Sequence, residues 1–259
     1  MHPDWLMPDW PAPTGVRAVC TTRAGGTSSA PYHSLNLGDH VGDDAGCVAA
    51  NRARFQAALG VRPVFLNQVH GTDVVTLDTH TPNATVADAC LTTQPRVACT
   101  IMVADCLPVL FTNVQGSAVA AAHAGWRSLA GPGGVGILEE TFKRFSALAL
   151  DNKALEATEI IAWLGPCIGP TAFEVGAEVH AAFITHDVQA QACFEPRPGG
   201  KWLADLAGLA RLRLRALGIT RIHGNNSSPA WCTVSQSSRF FSHRRDRVSG
   251  RLAVSIWLE

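Results

Sequence analysis

The 259-residue chain lacks net charge, since 21 Lys and Arg offset 21 Asp and Glu. No global positive field therefore draws it to a nucleic-acid backbone or an anionic membrane. It also lacks any run of about 18 apolar residues, the length of a membrane-spanning helix. Its start, Met1 to Pro13 with Trp5, Trp10 and four prolines, lacks the basic-then-apolar layout of a signal peptide. A cytoplasmic protein with a small ligand is expected. The eight cysteines (Cys20, Cys47, Cys90, Cys99, Cys106, Cys167, Cys193 and Cys232) contain no CxxC pair, which argues against a compact four-cysteine zinc knot and a secreted disulfide framework. Most of these thiols are expected to be reduced and buried, packing like small apolar groups. No internal repeat or low-complexity linker appears, and 47% hydrophobic residues at this length suit one large domain spanning residues 1–259.

What is present reads as strands mixed with about four helices. Val16 to Thr22 is rich in β-formers and runs into the turn Arg23-Ala24-Gly25-Gly26-Thr27-Ser28. Asp43 or Asp44 is placed to cap a helix with apolar positions Val48, Phe55 and Leu59, ended by Gly60. Short β-type runs follow at Val64 to Leu66 and Val74 to Leu77. The central segments Val97 to Val103, Val109 to Thr112 and Ser117 to Ala122 are apolar throughout and too short for typical helices, as strands buried on both faces would be. Ile137, Leu138, Phe142, Phe145 and Leu148 mark another helix, Glu159 to Leu164 a strand, and Gly165 to Pro170 a turn. The pattern Leu203, Leu206, Leu209, Leu212 and Leu217 predicts an amphipathic helix from Trp202 to Leu217, stopped by Gly218, and Arg251 to Leu258 closes the chain as a strand. The fold class is α/β or α+β.

Three segments set a strong metal ligand beside turn-forming residues at the end of an apolar β-run: Asn67-Gln68-Val69-His70-Gly71-Thr72-Asp73, Ala104-Asp105-Cys106-Leu107-Pro108 and Ala122-His123-Ala124-Gly125-Trp126-Arg127. Two imidazoles and a thiolate are borderline-soft donors suited to Zn²⁺, and three protein ligands leave the fourth tetrahedral position open, as in catalytic zinc sites. The spacing of His70, Cys106 and His123 matches no compact zinc motif. Taken singly, each histidine reads first as a hydrogen-bonded surface or core side chain, and Cys106 as an inert buried thiol.

Together the three segments resemble the YfiH-type family, also called the laccase-domain or peptidoglycan-editing-factor family. The likeness extends along nearly the whole chain, through Thr21-Thr22-Arg23-Ala24-Gly25-Gly26, Ser34-Leu35-Asn36-Leu37-Gly38, Gly42-Asp43-Asp44, Asn51-Arg52, Gly165-Pro166-Cys167-Ile168-Gly169-Pro170, Phe173-Glu174-Val175-Gly176 and Phe241-Ser242-His243-Arg244-Arg245-Asp246. The resemblance implies mixed β-sheets flanked by helices in an α/β/β/α arrangement, and a zinc held by His70, Cys106 and His123. It implies purine nucleoside phosphorylase activity, with adenosine deaminase and methylthioadenosine phosphorylase activities in the same pocket. The implied partners are purine nucleosides and phosphate.

The chemistry is compatible. Zinc lowers the pKa of water from about 15.7 toward about 7, enough for deamination near neutral pH. Phosphorolysis instead needs a cationic or amide-lined seat for a dianion, for which Arg23 in its glycine-rich turn and Arg127 are the candidates, either of which also reads as a surface arginine packing its stem. Gln68 is a candidate for hydrogen bonding a base or ribose. Asp105 either accepts from a ligand histidine or caps a turn. Cys167 reads as incidental to its turn, Arg244-Arg245-Asp246-Arg247 as a solvated or ion-paired run, and Trp126 as a core anchor or a stacking platform. His243 stands where a tyrosine is expected in many relatives, so no role is carried over to it.

Two rival activities remain. A copper polyphenol oxidase, the family's older label, wants many imidazoles, commonly as His-x-His pairs, whereas none of the ten histidines lies two positions from another. A cysteine hydrolase acting in peptidoglycan precursor editing would use Cys106 as nucleophile with His123 or His70 as base, and a thiolate tied to zinc does not readily serve. A zinc-stabilised binding protein would need a fourth ligand.

Overall fold

The computed structural model describes residues 1–148 and 156–259. Two sheets, numbered by strand in chain order, organise it. The first has the order β1 (Val16–Cys20), β13 (Leu252–Leu258), β5 (Val97–Val103), β2 (Arg62–Phe65), antiparallel except where β2 joins β5. The second runs β12 (Arg221–Gly224), β8 (Ile160–Leu164), β6 (Leu107–Asn113), β7 (Val119–Ala124), β4 (Ala89–Thr92), β3 (Val74–Thr76), with parallel pairs at its two edges. A small antiparallel sheet of β10 (Phe194–Arg197), β11 (Lys201–Ala204) and β9 (Glu174–Val175) lies to one side.

The two large sheets pack face to face, and the two-residue period of a strand sorts their side chains. In β5, Val97, Cys99, Ile101 and Val103 enter the layer between the sheets with Val119 and Ala121 of β7 and Leu110 of β6. Ala98 and Met102 face the other way, onto α1 (Ala45–Leu59) through Phe55 and Leu59. On the far face of the second sheet, Leu107, Val109, Phe111, Ala120, Ala122 and Ala124 meet α3 (Ile137–Ser146), α4 (Ala177–Ile184) and α5 (Leu206–Ala216). The result is the expected α/β/β/α layering in a single-domain mixed fold. It explains why the central strands carry no polar alternation: both of their faces are covered. Two short helices, α2 (Trp126–Ala130) and α6 (His243–Asp246), complete the set among the described residues. All eight cysteines are free.

Several boundaries differ from the sequence reading. Of the two candidate caps for α1, Asp44 accepts from the Cys47 N–H at 2.8 Å, while Asp43 takes the Ser28 hydroxyl and the Asn36 amide. Trp202 and Leu203 are not helical. They lie in β11, where Trp202 stacks on His180 with ring centroids 3.9 Å apart, and the helix begins only after Asp205, whose carboxylate caps the Gly208 N–H. The Ser117 to Ala122 strand starts two residues later and runs on to Ala124, so that His123 is a strand residue. The strands β4 and β9 to β12, and α4, carry no clear periodic signal and were not anticipated.

Chain connectivity makes one end of the sandwich special. The chain leaves β2 in the first sheet and reaches β3 in the second through residues 66–73. It leaves β5 in the first sheet and enters β6 in the second through Ala104-Asp105-Cys106. The end of β7, the end of β8 and the start of β13 arrive at the same end, as the pairings Leu107 with Ala124, Val109 with Leu164 and Leu252 with Val103 require.

Candidate active site

At that end three side chains converge. His70 comes from the first crossing, Cys106 from the second and His123 from the end of β7 before α2, and their ligand atoms all lie within 4.8 Å of one another. Cys106 Sγ stands 3.6 Å from His70 Nε2, and the two imidazole rings meet edge-on with centroids 4.8 Å apart. A tetrahedral zinc with Zn–S near 2.3 Å and Zn–N near 2.0 Å would have ligand-to-ligand edges of about 3.5 Å, so the donor types suit zinc and the 3.6 Å between Cys106 and His70 matches one such edge. His123 is buried, Cys106 half-buried and His70 exposed, which leaves the group open on one side.

The backbone around the group is held in uncommon conformations. His70 has φ 59°, Asp105 φ 90° and Arg247 φ 62°, all in the left-handed region that non-glycine residues seldom occupy. Hydrogen bonds hold the first two in place. The loop carrying His70 is tied to Asp88, whose buried carboxylate accepts the N–H groups of Val69 (3.1 Å), His70 (3.0 Å) and Gly71 (2.7 Å) and faces Nδ1 of His123 at 2.8 Å. Asp105 accepts from the Thr233 hydroxyl at 2.5 Å and the Arg244 N–H at 2.6 Å, and its own carbonyl accepts from Ile168. Asp105 therefore binds neither ligand histidine. It ties the thiol-bearing segment to the 233 and 244 regions.

The charges of the cluster reinforce one another. Burial alone would raise the Cys106 thiol, but the charge of His123 and hydrogen bonds from His123 and His70 outweigh it and bring the thiol down to about 6. Burial would lower His123, and the Cys106 thiolate together with Asp88 pushes it up to about 9. Without a metal, the pair at neutral pH is therefore thiolate and imidazolium.

The cluster opens into a cavity of about 440 Å³ that is also lined by arginines. Arg127, Arg244, Arg247 and Arg251 all face it, and among the described residues none has a carboxylate within ion-pair distance. Arg244 is braced by the carbonyls of Ala172 and Glu174, and Arg251 by those of Ser249 and Gly250, so neutral acceptors fix their positions, and the Cys106 and Asp105 charges act on Arg251 from beyond ion-pair distance. His40 and His243 line the same cavity, and burial beside Arg251 lowers the pKa of His40.

The sequence candidates divide accordingly. His70, Cys106, His123, Gln68 and Arg127 all reach the cavity. Gln68 spends both ends of its amide on the backbone of Met102, its Nε2 donating to the carbonyl and its Oε1 accepting the N–H, each at 2.8 Å. Arg127 stacks on Trp126 at 4.4 Å, and that ring both packs on the outer core and faces the cavity. Arg23 is not among the cavity residues. Its guanidinium donates to the carbonyls of His33 and Ser237 and covers the Phe241 ring, so it braces loops at a different place. Cys167 is buried outside the cavity, where its sulfur accepts from the Asn225 amide. The sequence reading missed Asp88, His40 and Arg251, and took Arg244 and Arg247 for part of a solvated or ion-paired run. Among the described residues, Arg245 alone of that run pairs with a carboxylate, that of Asp246. The signal that could have recovered Arg244 was its position inside a segment that joined the family likeness. For Asp88 no sequence signal distinguishes it from any residue that opens a strand.

Comparison with known proteins identifies the family and the fold. The family model described as multi-copper polyphenol oxidoreductase laccase matches residues 17–259. The purine nucleoside phosphorylase YfiH of Escherichia coli is 48% identical over 255 residues, covering 98% of each chain. A purine nucleoside phosphorylase of Haemophilus influenzae is 45% identical over 258 residues, covering 98% of this chain and 99% of the relative. Among solved structures, a Neisseria meningitidis protein superposes with a TM-score of 0.91 at 44% identity over 99% of both chains. The Geobacillus stearothermophilus protein YlmD superposes with 0.82 at 29% identity over 95% of this chain and 93% of its own.

Proposed function

Because the chain belongs to the YfiH-type laccase-domain family, we propose that it is a purine nucleoside phosphorylase in which His70, Cys106 and His123 hold one zinc ion and the cavity arginines hold phosphate. The observation that carries this reading is that four arginines with no ion-paired carboxylate among the described residues line one cavity with the His-Cys-His group. Fixed positive charges with no internal partner lose solvation on being gathered together, and a dianionic ligand restores what they lack. A zinc ion held by the three ligands would supply Lewis acidity toward water or a purine atom.

In phosphorolysis a phosphate oxygen bonds to C1′ as the C1′–N9 bond breaks, and the electron pair of that bond leaves with the purine. The arginines orient the phosphate and offset its charge as it approaches. Trp126 and Phe173 provide apolar surface for a flat base within the same cavity. Adenosine deamination and methylthioadenosine phosphorolysis are assigned to the same pocket, the first needing water and no phosphate. The copper oxidase description of the family is not adopted, because the chain has no His-x-His pair.

The test is to incubate the purified protein with inosine, guanosine, adenosine and methylthioadenosine, with and without phosphate, and to identify products by mass. Ribose 1-phosphate, or its methylthio analogue, is expected only with phosphate. Arg244→Ala and Arg251→Ala are each expected to raise the KM for phosphate about tenfold or more, as the loss of a charge-assisted contact does. Absence of a phosphorylated sugar with every nucleoside, or an unchanged phosphate KM in both variants, would sink the reading.

One observation favours a second reading. Asp88, His123 and Cys106 form a carboxylate, imidazole and thiolate chain of the kind that activates a cysteine nucleophile. A metal-free protein, as isolated, that forms a covalent Cys106 adduct with an amide or ester substrate would support a hydrolase. One tightly held zinc per chain supports the phosphorylase.

A further inference from the structure

We infer that Asp88 is the positioning residue of this site: one buried carboxylate both presents Nε2 of His123 to the metal-binding group and seats the loop that carries His70. The inference rests on the metal-holding part of the proposed function and is independent of which nucleoside is used. Asp88 is fully buried, yet no lysine or arginine among the described residues pairs with it. Its Oδ1 accepts from Nδ1 of His123 and the N–H of His70, and its Oδ2 accepts from the N–H groups of Val69 and Gly71. Four donors thus converge on two oxygens. A carboxylate is the one side chain that accepts in all of those directions and donates in none.

Two consequences follow for the ligands. With Nδ1 bonded to an acceptor-only group, that nitrogen carries the proton, and Nε2 is the atom of His123 left within the cluster. On the other side, His70 stands at φ 59°, a conformation its own backbone disfavours, and the three N–H bonds to Asp88 hold the loop in it. Asp88 is also placed by the fold itself. Its N–H donates to the Asp73 carbonyl and its carbonyl accepts from the His123 N–H at 2.7 Å, so it is fixed at the mouth of β4 beside β7. The two histidines come from different segments, the 66–73 crossing and the end of β7, and this one side chain sets the separation between them.

Asparagine at this position has a single accepting oxygen. Its NH₂ group must then face either the N–H groups of Val69 and Gly71 or those of His123 and His70, and both placements set donor against donor. The second also drives the His123 proton onto Nε2, where it blocks ligation. Asp88→Asn is therefore expected to bind zinc about 10- to 100-fold more weakly than the wild type, read by competition with a chromophoric chelator. A residue that merely braced a loop would lower the melting temperature of the metal-free protein and leave zinc affinity unmoved.

A second measurement needs no variant. In ¹⁵N-labelled, zinc-loaded wild-type protein, long-range proton–nitrogen correlation is expected to assign His123 Nδ1 as protonated and Nε2 as metal-bound. Zinc on Nδ1, or wild-type zinc affinity in Asp88→Asn, would overturn the proposal while leaving the zinc reading intact. A wild type that takes up no zinc would overturn the zinc reading itself, and the ligand-presenting role with it.

Discussion

At the residue scale, Cys106 differs from its fellow cysteines through its company. Burial pushes Cys20 up to about 12 and Cys193 to about 11, whereas the imidazoles around Cys106 bring it to about 6. A thiol reacts as its thiolate, so alkylation of the metal-free protein by iodoacetamide should reach half its maximal rate near pH 6 at Cys106, against about 8.5 for an ordinary thiol. Peptide mass mapping across pH reads this directly, and a Cys106 midpoint near 8.5 would mean that the histidines do not hold the thiolate. Added zinc should protect the residue. Gly125 tests the geometry from another side. A Cβ there would stand 2.9 Å from Cδ2 of His70 and 3.0 Å from Cys106 Sγ, while its backbone, at φ −67° and ψ 161°, accepts alanine without strain. Gly125→Ala is expected to fold normally and to weaken zinc binding about tenfold. Undiminished affinity would show that the two ligands can move apart without loss.

At the scale of elements, the helices cover the sheets and the strand ends make the site. Phe55 of α1 is fully buried, with Trp5 at 5.5 Å and Phe65 at 6.2 Å between ring centroids, on the outer face of the first sheet. Phe55→Ala should lower the unfolding free energy by about 3–5 kcal/mol, the usual result of emptying a core aromatic site. Urea titration measures it, and zinc affinity below the denaturation range should match the wild type. A parallel fall in affinity would contradict the separation between covering layer and site. The element boundaries were readable where one periodicity ruled, as in α1 with Val48, Phe55 and Leu59. They were misread at Trp202, where leucines spaced for a helix begin inside a strand that pairs with Phe194 to Arg197. That pairing is non-local, and a local pattern does not register it.

At the scale of the whole molecule, three buried apolar clusters lie on either side of and between the two sheets, complete without the His-Cys-His group at their end. On the proposed reading, zinc bound there would stabilise the folded state by mass action, by about 4 kcal/mol when free zinc exceeds its Kd a thousandfold. Chelation is therefore expected to lower the melting temperature while leaving the far-ultraviolet circular dichroism of the folded state unchanged. Loss of structure at room temperature on adding chelator would instead make the metal a structural one.

The sequence alone determined the composition of the interior, and it singled out His70, Cys106 and His123 as candidate soft ligands that the structure brings together. Apolar runs with no polar alternation require strands covered on both faces, and His70, Cys106 and His123 each end such a run. Tertiary structure decided everything that depends on which ends meet. Asp88 acquires its place because β4 lies beside β7 and opposite the 66–73 crossing. Arg244 and Arg251 become a cationic wall because the last part of the chain returns to the strand ends that carry Cys106, 138 positions from Arg244. Arg23, in a turn that looked made for an anion, is instead consumed by the carbonyls of His33 and Ser237. A side chain's chemistry is written in its type, but its partners are set by contacts between segments far apart in the chain, and no local pattern of residues encodes those contacts.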